Sequence, residues 1–244
     1  MKKVLITGAT SGIGEALARS FHARGVKVIA SGRDRKKLDI LSSREQGIET
    51  CVMDVSDYGS VIDRAKEIEK HHPDIDTVIN NAGVQRLIDF RSAGTLERTV
   101  LDEEIDINLK GLIYVSATFL PLLLRQPSSR LVQISSGLAL VPLIKAPIYS
   151  ATKAAVHSFS ISLRAQLKGS PVKLIEILPP LVETNLHRGQ GNERQGAMKL
   201  DAFTEQVLTA LDSEKTEIPI GLAKALRIGS RIAPALFQKI INKR

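Results

Sequence analysis

The sequence predicts an α/β fold: a doubly wound parallel sheet of about seven strands with helices on both faces. Two observations carry this. Short apolar runs alternate with longer amphipathic ones along the whole of the 244 residues. The short runs are apolar at nearly every position instead of every second one, which marks strands covered on both faces. No linker-like or low-complexity stretch and no internal repeat breaks the pattern, so a single domain over residues 1–244 is expected. Composition agrees, with 43% hydrophobic and 25% charged residues, ordinary for a globular chain able to build one large core.

The elements follow in order. KVLIT (3–7) is a buried strand and ALARSFHARG (16–25) a helix closed by Gly25. VKVIAS (26–31) is the second strand, and RKKLDILSSREQG a helix ending at Gly47, before the strand IETCVMD (48–54). A helix over 60–72 stops at Pro73, and DTVIN (76–80) is the fourth strand. Residues 97–126 form one long helical pattern that ends before Pro127, and RLVQIS (130–135) is the fifth strand. A helix over about 148–168, the strand VKLIEIL (172–178), a helix over 201–214 and a last strand candidate, TEIPIG (216–221), complete the alternation.

Composition excludes several roles. The one cysteine, Cys51, precludes an intramolecular disulfide and fits a reducing compartment; its apolar setting (CVMDV) suits a buried, inert thiol. Two lysines open the chain, but glycines interrupt the apolar stretch too early for a signal peptide. No apolar run approaches the roughly 20 residues of a membrane span, so a cytoplasmic protein is expected. Net charge is +8, yet aromatics are only 4% with no Trp, which leaves few stacking platforms for nucleic acid. Steering of an anionic cofactor or substrate is the economical use of that charge. His71-His72, just before Pro73, suits a helix end better than a metal site, and no metal is expected.

Sheets of this kind bind ligands beyond the carboxyl ends of their strands. Beyond the first strand lies TGATSGIG (7–14), with Gly8, Gly12 and Gly14 between strand and helix. Glycine permits positive φ and lets a diphosphate approach the backbone, while the next helix points free N–H groups and its positive end at it. Such a turn can also hold nothing; opening the first βα unit of an alternating chain, it points to a dinucleotide. In PIYSATKAAV (147–156), Tyr149 and Lys153 stand four apart on one helix face. Alone they would be two ordinary surface residues. A free phenol titrates near 10, and an ammonium beside it favours the phenolate, so the pair suits proton transfer.

The T-G-x-x-x-G-x-G turn resembles that of the short-chain dehydrogenase/reductase family, and further motifs follow in that family's order. Asn80-Asn81-Ala82-Gly83 follows the fourth strand, Asn108 in DINLKG matches a mid-helix Asn, and Ser136 precedes the Tyr149-x-x-x-Lys153 motif by thirteen residues. The resemblance covers residues 3 to about 184, and the chain as a whole looks most like uncharacterised bacterial oxidoreductases of the DltE-like type. It implies a Rossmann-type fold and hydride transfer between a nicotinamide and a carbonyl or secondary alcohol. It implies Tyr149 as acid/base and Lys153 as its electrostatic tuner and a ribose ligand. Ser136 would bond the substrate oxygen, and Asn108 would hold a water linking Lys153 to solvent. Cofactor contacts are implied for Gly8, Thr10, Ser11, Gly12, Ile13 and Gly14, for Asp54 and Val55 at the adenine, and for Asn81, Ala82 and Gly83. Pro179, Val182 and Thr184 match positions near the nicotinamide. No acid stands at the tip of the second strand, and Arg33 there matches the pattern that prefers NADP(H) to NAD(H), although Asp34 follows at once.

Some segments depart from the pattern. Pro180 replaces a family glycine; if that position needs positive φ, the nicotinamide turn must differ locally. Residues 185–200 fall where the family keeps a substrate lid, and Gly189, Gly191 and Gly196 suit a mobile one. His187, Arg188 and Arg194 read as solvated more than as substrate ligands. The basic, apolar tail over about 221–244, interrupted by Pro234, more often packs on its own domain or on a subunit; a membrane surface is the minor alternative. The resemblance implies a homodimer or homotetramer through the long helix, with a small carbonyl or alcohol as substrate. Two alternatives stand beside this: an NADP(H)-binding regulator without turnover, which would have no need of Ser136, Tyr149 and Lys153, and an epimerase or dehydratase of the same fold working through transient oxidation.

Overall fold

Alternate residues of each strand feed opposite faces of one sheet. In the computed structural model, which describes residues 1–91, 97–184, 186 and 196–243, seven parallel strands are ordered β3-β2-β1-β4-β5-β6-β7. They are β1 (Lys3–Ile6), β2 (Lys27–Gly32), β3 (Ile48–Val52), β4 (Thr77–Asn80), β5 (Ser129–Ile134), β6 (Val172–Leu178) and β7 (Glu217–Pro219). Val4, Val28, Ile79, Val132 and Ile175 pack with helices α1 (Gly12–Ala23), α2 (Arg35–Arg44) and α7 (Leu200–Leu211) on one face. Their neighbours Leu5, Ile29, Val78, Leu131 and Leu174 pack with α3 (Tyr58–His71), α5 (Leu112–Leu124) and α6 (Pro147–Gln166) on the other. With both faces covered, the strands β1, β2, β4 and β6 are buried at most positions and carry apolar runs, which is why the alternation was legible; the edge strand β3 exposes Glu49 and Thr50.

Strand order sets the site. From β1 the chain steps outward to β2 and β3, then returns to place β4 on the other side of β1. Connections leave the ends of β1 and β4 in opposite directions, and the crevice between them is where such sheets receive ligands.

Several boundaries differ from the sequence expectation for identifiable reasons. Helix α1 begins at Gly12, four residues before the apolar periodicity, because its first turn carries glycines that contribute no pattern. The long helical pattern is α4 (Arg98–Ile105), a π-helical turn (Asp106–Gly111) and α5. An inserted residue of this kind leaves no mark on a 3.6-residue period. By length and composition Arg98–Leu124 could also cross a membrane, with mean hydropathy 1.6; half of that apolar window is buried within the protein. The tail folds as α8 (Leu222–Ile232) and α9 (Pro234–Asn242). Pro234 opens α9 at a position where a missing N–H costs nothing. Cys51 is half-buried rather than fully buried, and burial pushes its thiol up to about 11, which keeps it unreactive.

Candidate active site

The cleft beyond β1 and β4 encloses about 690 Å³ and is lined from Arg33 at the β2 tip to Leu222 and Ile241 in the C-terminal helices. Thr10, Ser11, Gly12 and Ile13 form its floor. Ser11 precedes α1 without a side-chain cap, so the first N–H groups of that helix stay open to a ligand. Gly8 has φ of +66°, and a Cβ there would lie 2.7 Å from Ala82 Cα. A Cβ on Gly14 would lie 2.3 Å from the Gly8 carbonyl oxygen, so Gly14 shapes the turn from behind without lining the cleft.

The tip of β4 is stapled to this turn. The Asn81 side chain donates to the carbonyls of Thr7 (3.0 Å) and Gly8 (3.2 Å). The Thr7 hydroxyl accepts from the backbone N–H of Asn81 (3.0 Å) and Ala82 (3.1 Å). Ala82 and Gly83 are thereby fixed as cleft wall.

At the far end Arg33, Asp34 and Lys37 all line the cleft. Asp34, which stood against a phosphate site, caps α2: its carboxylate accepts from Lys37 N at 3.2 Å and pairs with Lys37 Nζ at 3.6 Å. Its charge is therefore partly answered from within the helix. Val55 lines the cleft, but Asp54 does not. The Asp54 carboxylate accepts from Ser56 N (2.9 Å) and Ser56 Oγ (2.6 Å) through one oxygen, which shapes the turn after β3.

Ser136, Tyr149 and Lys153 converge where the ends of β5 and α6 meet. Ser135 and Ser136 turn to different partners: Ser135 Oγ donates to the Ile177 carbonyl at 3.2 Å, whereas Ser136 Oγ accepts from Leu138 N at 3.1 Å and lies close enough to the Tyr149 phenol to favour its ionised form. Lys153, 3% exposed, donates to the Ile134 carbonyl at 2.8 Å and sits 5.6 Å from the Tyr149 ring centre. On spacing alone, Lys153 should draw the phenol down. The surroundings act the other way: burial pushes Tyr149 up to about 12, against the Ser136 bond, and the Glu104 carboxylate adds to the rise. Burial also pulls Lys153 down to about 8, opposed by Glu176. Tyr149 is thus held neutral.

The π-turn aims Asn108 beneath this group. Its amide accepts from Val84 N (2.8 Å) and donates to the Val84 carbonyl (2.9 Å) and Thr152 Oγ1 (3.2 Å). A Cβ on Gly83 would lie 3.3 Å from Asn108 Oδ1 and 3.7 Å from Lys153 Nζ, so the three meet at one point. Beyond β6, Pro179, Val182 and Thr184 line the cleft with Pro180. Among the described residues only glycines have positive φ, so the turn accommodates Pro180. Room for its ring comes from Gly221, where a Cβ would lie 3.3 Å from Pro180 Cγ. Of the expected lid, Leu186 lines the cleft; Asn185 and residues 187–195, including His187, Arg188, Gly189, Gly191 and Arg194, lie outside the described residues.

Sequence reasoning missed two buried carboxylates and one wall. Glu104, fully buried, accepts from Arg86 N at 2.7 Å and ties the loop after β4 to α4. Glu176 on β6, also fully buried, bonds His157 Nδ1 at 2.9 Å, one helical turn beyond Lys153, with Arg164 at 3.9 Å. An acid inside an otherwise apolar run was the available signal for Glu176; Glu104 stands among Asp102, Glu103 and Asp106, and the sequence does not mark which of them is buried. The wall of Leu138, Leu143, Leu181, Leu222, Leu226 and Ile241 comes from four separate segments, and no local motif announces it.

Comparison with known proteins accords with this geometry. Residues 2–195 match the family model described as short chain dehydrogenase. The chain is 37% identical over 232 residues to the uncharacterized oxidoreductase DltE of Bacillus subtilis, covering 93% of this chain and 91% of that one. The closed form of a serine dehydrogenase complexed with NADP+ superposes with a TM-score of 0.81 at 27% identity, over 89% of this chain and 94% of that one. An alcohol dehydrogenase from the archaeon Thermococcus sibiricus, complexed with 5-hydroxy-NADP, gives 0.80 at 26% identity over 90% and 96%. The chain belongs to the short-chain dehydrogenase family, and is an oxidoreductase of that family.

Proposed function

We infer that the protein is an NADP(H)-dependent oxidoreductase acting on an apolar carbonyl or the corresponding secondary alcohol. The observation that carries this is the convergence of Ser136, Tyr149 and Lys153 in one cleft whose opposite end presents Arg33 and Lys37. The cleft fits a dinucleotide: the uncapped start of α1 faces it, and Gly8 and Gly14 stand where any side chain would meet backbone. Gly8 to Ile13 would hold the diphosphate, Arg33 and Lys37 the 2′-phosphate, and Val55 with Ala82 the adenosine side. Val182 and Thr184 would meet the nicotinamide, and Lys153 its ribose. The bound nicotinamide supplies or accepts the hydride.

The protein's own residues handle the proton. Tyr149, kept neutral by burial, donates to the carbonyl oxygen as it gains charge, and Ser136 bonds the same oxygen. Lys153, cationic below about pH 8, stabilises the phenolate left behind. Asn108 positions Val84 and Thr152 around that pair and stands where a water could pass a proton onward. Six aliphatic side chains at the substrate end favour an apolar substrate.

The test is a panel of aliphatic and polar carbonyls followed by NADPH consumption, with Tyr149→Phe beside the wild type. Turnover of the aliphatic members with NADPH, lost by at least ~100-fold in the variant, supports the assignment. Full turnover in the variant overturns the mechanism. Tight NADPH binding without turnover of any carbonyl would favour a regulator or an epimerase or dehydratase instead.

A further inference from the structure

The C-terminal helices present a surface that the cleft does not use. On α8, Ile228 is 62% and Ile232 77% exposed; on α9, Leu236 is 55% and Ile240 37% exposed. Spacings of four place each pair on one helix face. The two helices are joined where Gly229 of α8 packs against Phe237 of α9. A Cβ on Gly229 would lie 2.1 Å from the Phe237 ring, so the helices cross too closely there for any other residue. The crossing is held from below: Gln238 and Asn242 donate to the Pro142 carbonyl at 3.1 and 3.2 Å, and Asn242 Oδ1 accepts from Ile144 N at 2.7 Å.

The charge around this stripe is of one sign. Residues 221–244 contain Lys224, Arg227, Arg231, Lys239, Lys243 and Arg244 and no acid, six of the cations behind a net charge of +8. Of the tail cations among the described residues, Arg227 is the one in an ion pair, with Glu217 at 2.6 Å. Two helices that carry exposed apolar side chains and, among their own charged side chains, cations alone have a definite complement. A second copy docked two-fold on the same face would set these cations against themselves. A nucleic acid would answer the charge but leave four aliphatic side chains against phosphates.

We propose that the α8–α9 pair docks the protein on an anionic lipid surface, with Ile228, Ile232, Leu236 and Ile240 at the acyl boundary and Lys224, Arg231, Lys239 and Lys243 among the headgroup phosphates. The opposite side of the same pair supplies Leu222, Leu226 and Ile241 to the cleft, so docking sets the apolar end of the site close to the bilayer. The docking is independent of the catalytic assignment.

Vesicle flotation of the full chain tests this, using phosphatidylcholine alone and phosphatidylcholine mixed with phosphatidylglycerol. The protein should float with the anionic vesicles, be released by high salt and ignore the neutral ones. At about fivefold per cation, Lys239→Gln with Lys243→Gln should weaken binding by roughly 25-fold. Ile232→Glu with Leu236→Glu should abolish it. None of these residues lines the cleft, so thermal midpoint and NADPH binding should stay at wild-type values in every variant. Failure to bind anionic vesicles, equal binding to neutral ones, or indifference to the Ile232/Leu236 change would each overturn the proposal. So would self-association that the same change abolishes without vesicle binding, which would make a second copy the occupant. A DNA duplex bound as tightly by the Ile232/Leu236 variant as by wild type, with no vesicle binding, would reduce the tail to a polyanion patch.

Discussion

Replacing Lys153 by methionine should stabilise the protein while removing its activity. Lys153 is 3% exposed, and burial pulls it from its ordinary 10.5 to about 8. At about 1.36 kcal/mol per pKa unit, keeping that ammonium inside costs the fold about 3 kcal/mol at neutral pH. Methionine keeps the length of the stem without the charge. It loses the bond to the Ile134 carbonyl, worth about 1 kcal/mol, for a net gain of about 2 kcal/mol. For a chain of this size that raises the melting midpoint by about 6 °C. The sign fixes a pH signature. The folded state holds this proton less tightly than the unfolded one, so the penalty is full below about pH 8 and vanishes as pH rises past 10.5. The advantage of Lys153→Met should therefore shrink over that window. Urea denaturation at pH 7 and 10, with carbonyl turnover measured alongside, checks both parts. A variant less stable than wild type at pH 7 would show that Lys153 is a comfortable core residue, and the reasoning above would fail. That a fold keeps such a cost is the signature of a functional site.

Three further outcomes follow from the geometry. Arg33→Ala should weaken NADPH by about 10- to 100-fold, as expected for a charge-assisted phosphate bond, and leave NADH nearly unchanged; equal losses in fluorescence titrations of the two would remove the NADP preference. Gly14→Ala should cost about 1–3 kcal/mol and at least tenfold in cofactor affinity, because its Cβ would lie 2.3 Å from the Gly8 carbonyl; a variant with unchanged denaturation and binding would show that the turn can relax. The bond from Glu176 raises His157 above its ordinary 6.5, so the stability this pair contributes is complete below pH 6.5 and declines as pH rises through the folded value. His157→Leu should therefore destabilise more at pH 6 than at pH 9, and equal loss at both in urea titrations would show that the pair is not charged.

The sequence by itself determined the fold class, because strands covered on both faces must be largely apolar and helices covered on one must not be. It also brought out the glycine turn, since Gly8 and Gly14 sit where backbone meets backbone and no side chain can stand in. The Tyr149–Lys153 pair was legible because both lie on one helix, where spacing alone fixes proximity. Tertiary structure decided what spacing does not encode. The π-turn that aims Asn108 leaves the helical period unmarked, and Asp34 and Asp54, adjacent in the sequence to the expected cofactor residues, are engaged by Lys37 and Ser56. Local chemistry predicted that Lys153 would lower Tyr149; burial, which depends on every element packed around the pair, reversed that sign. The apolar wall of the cleft and the cationic ridge behind it are two sides of one helix pair, visible only once Phe237 closes on Gly229 and divides the tail into an inner and an outer face.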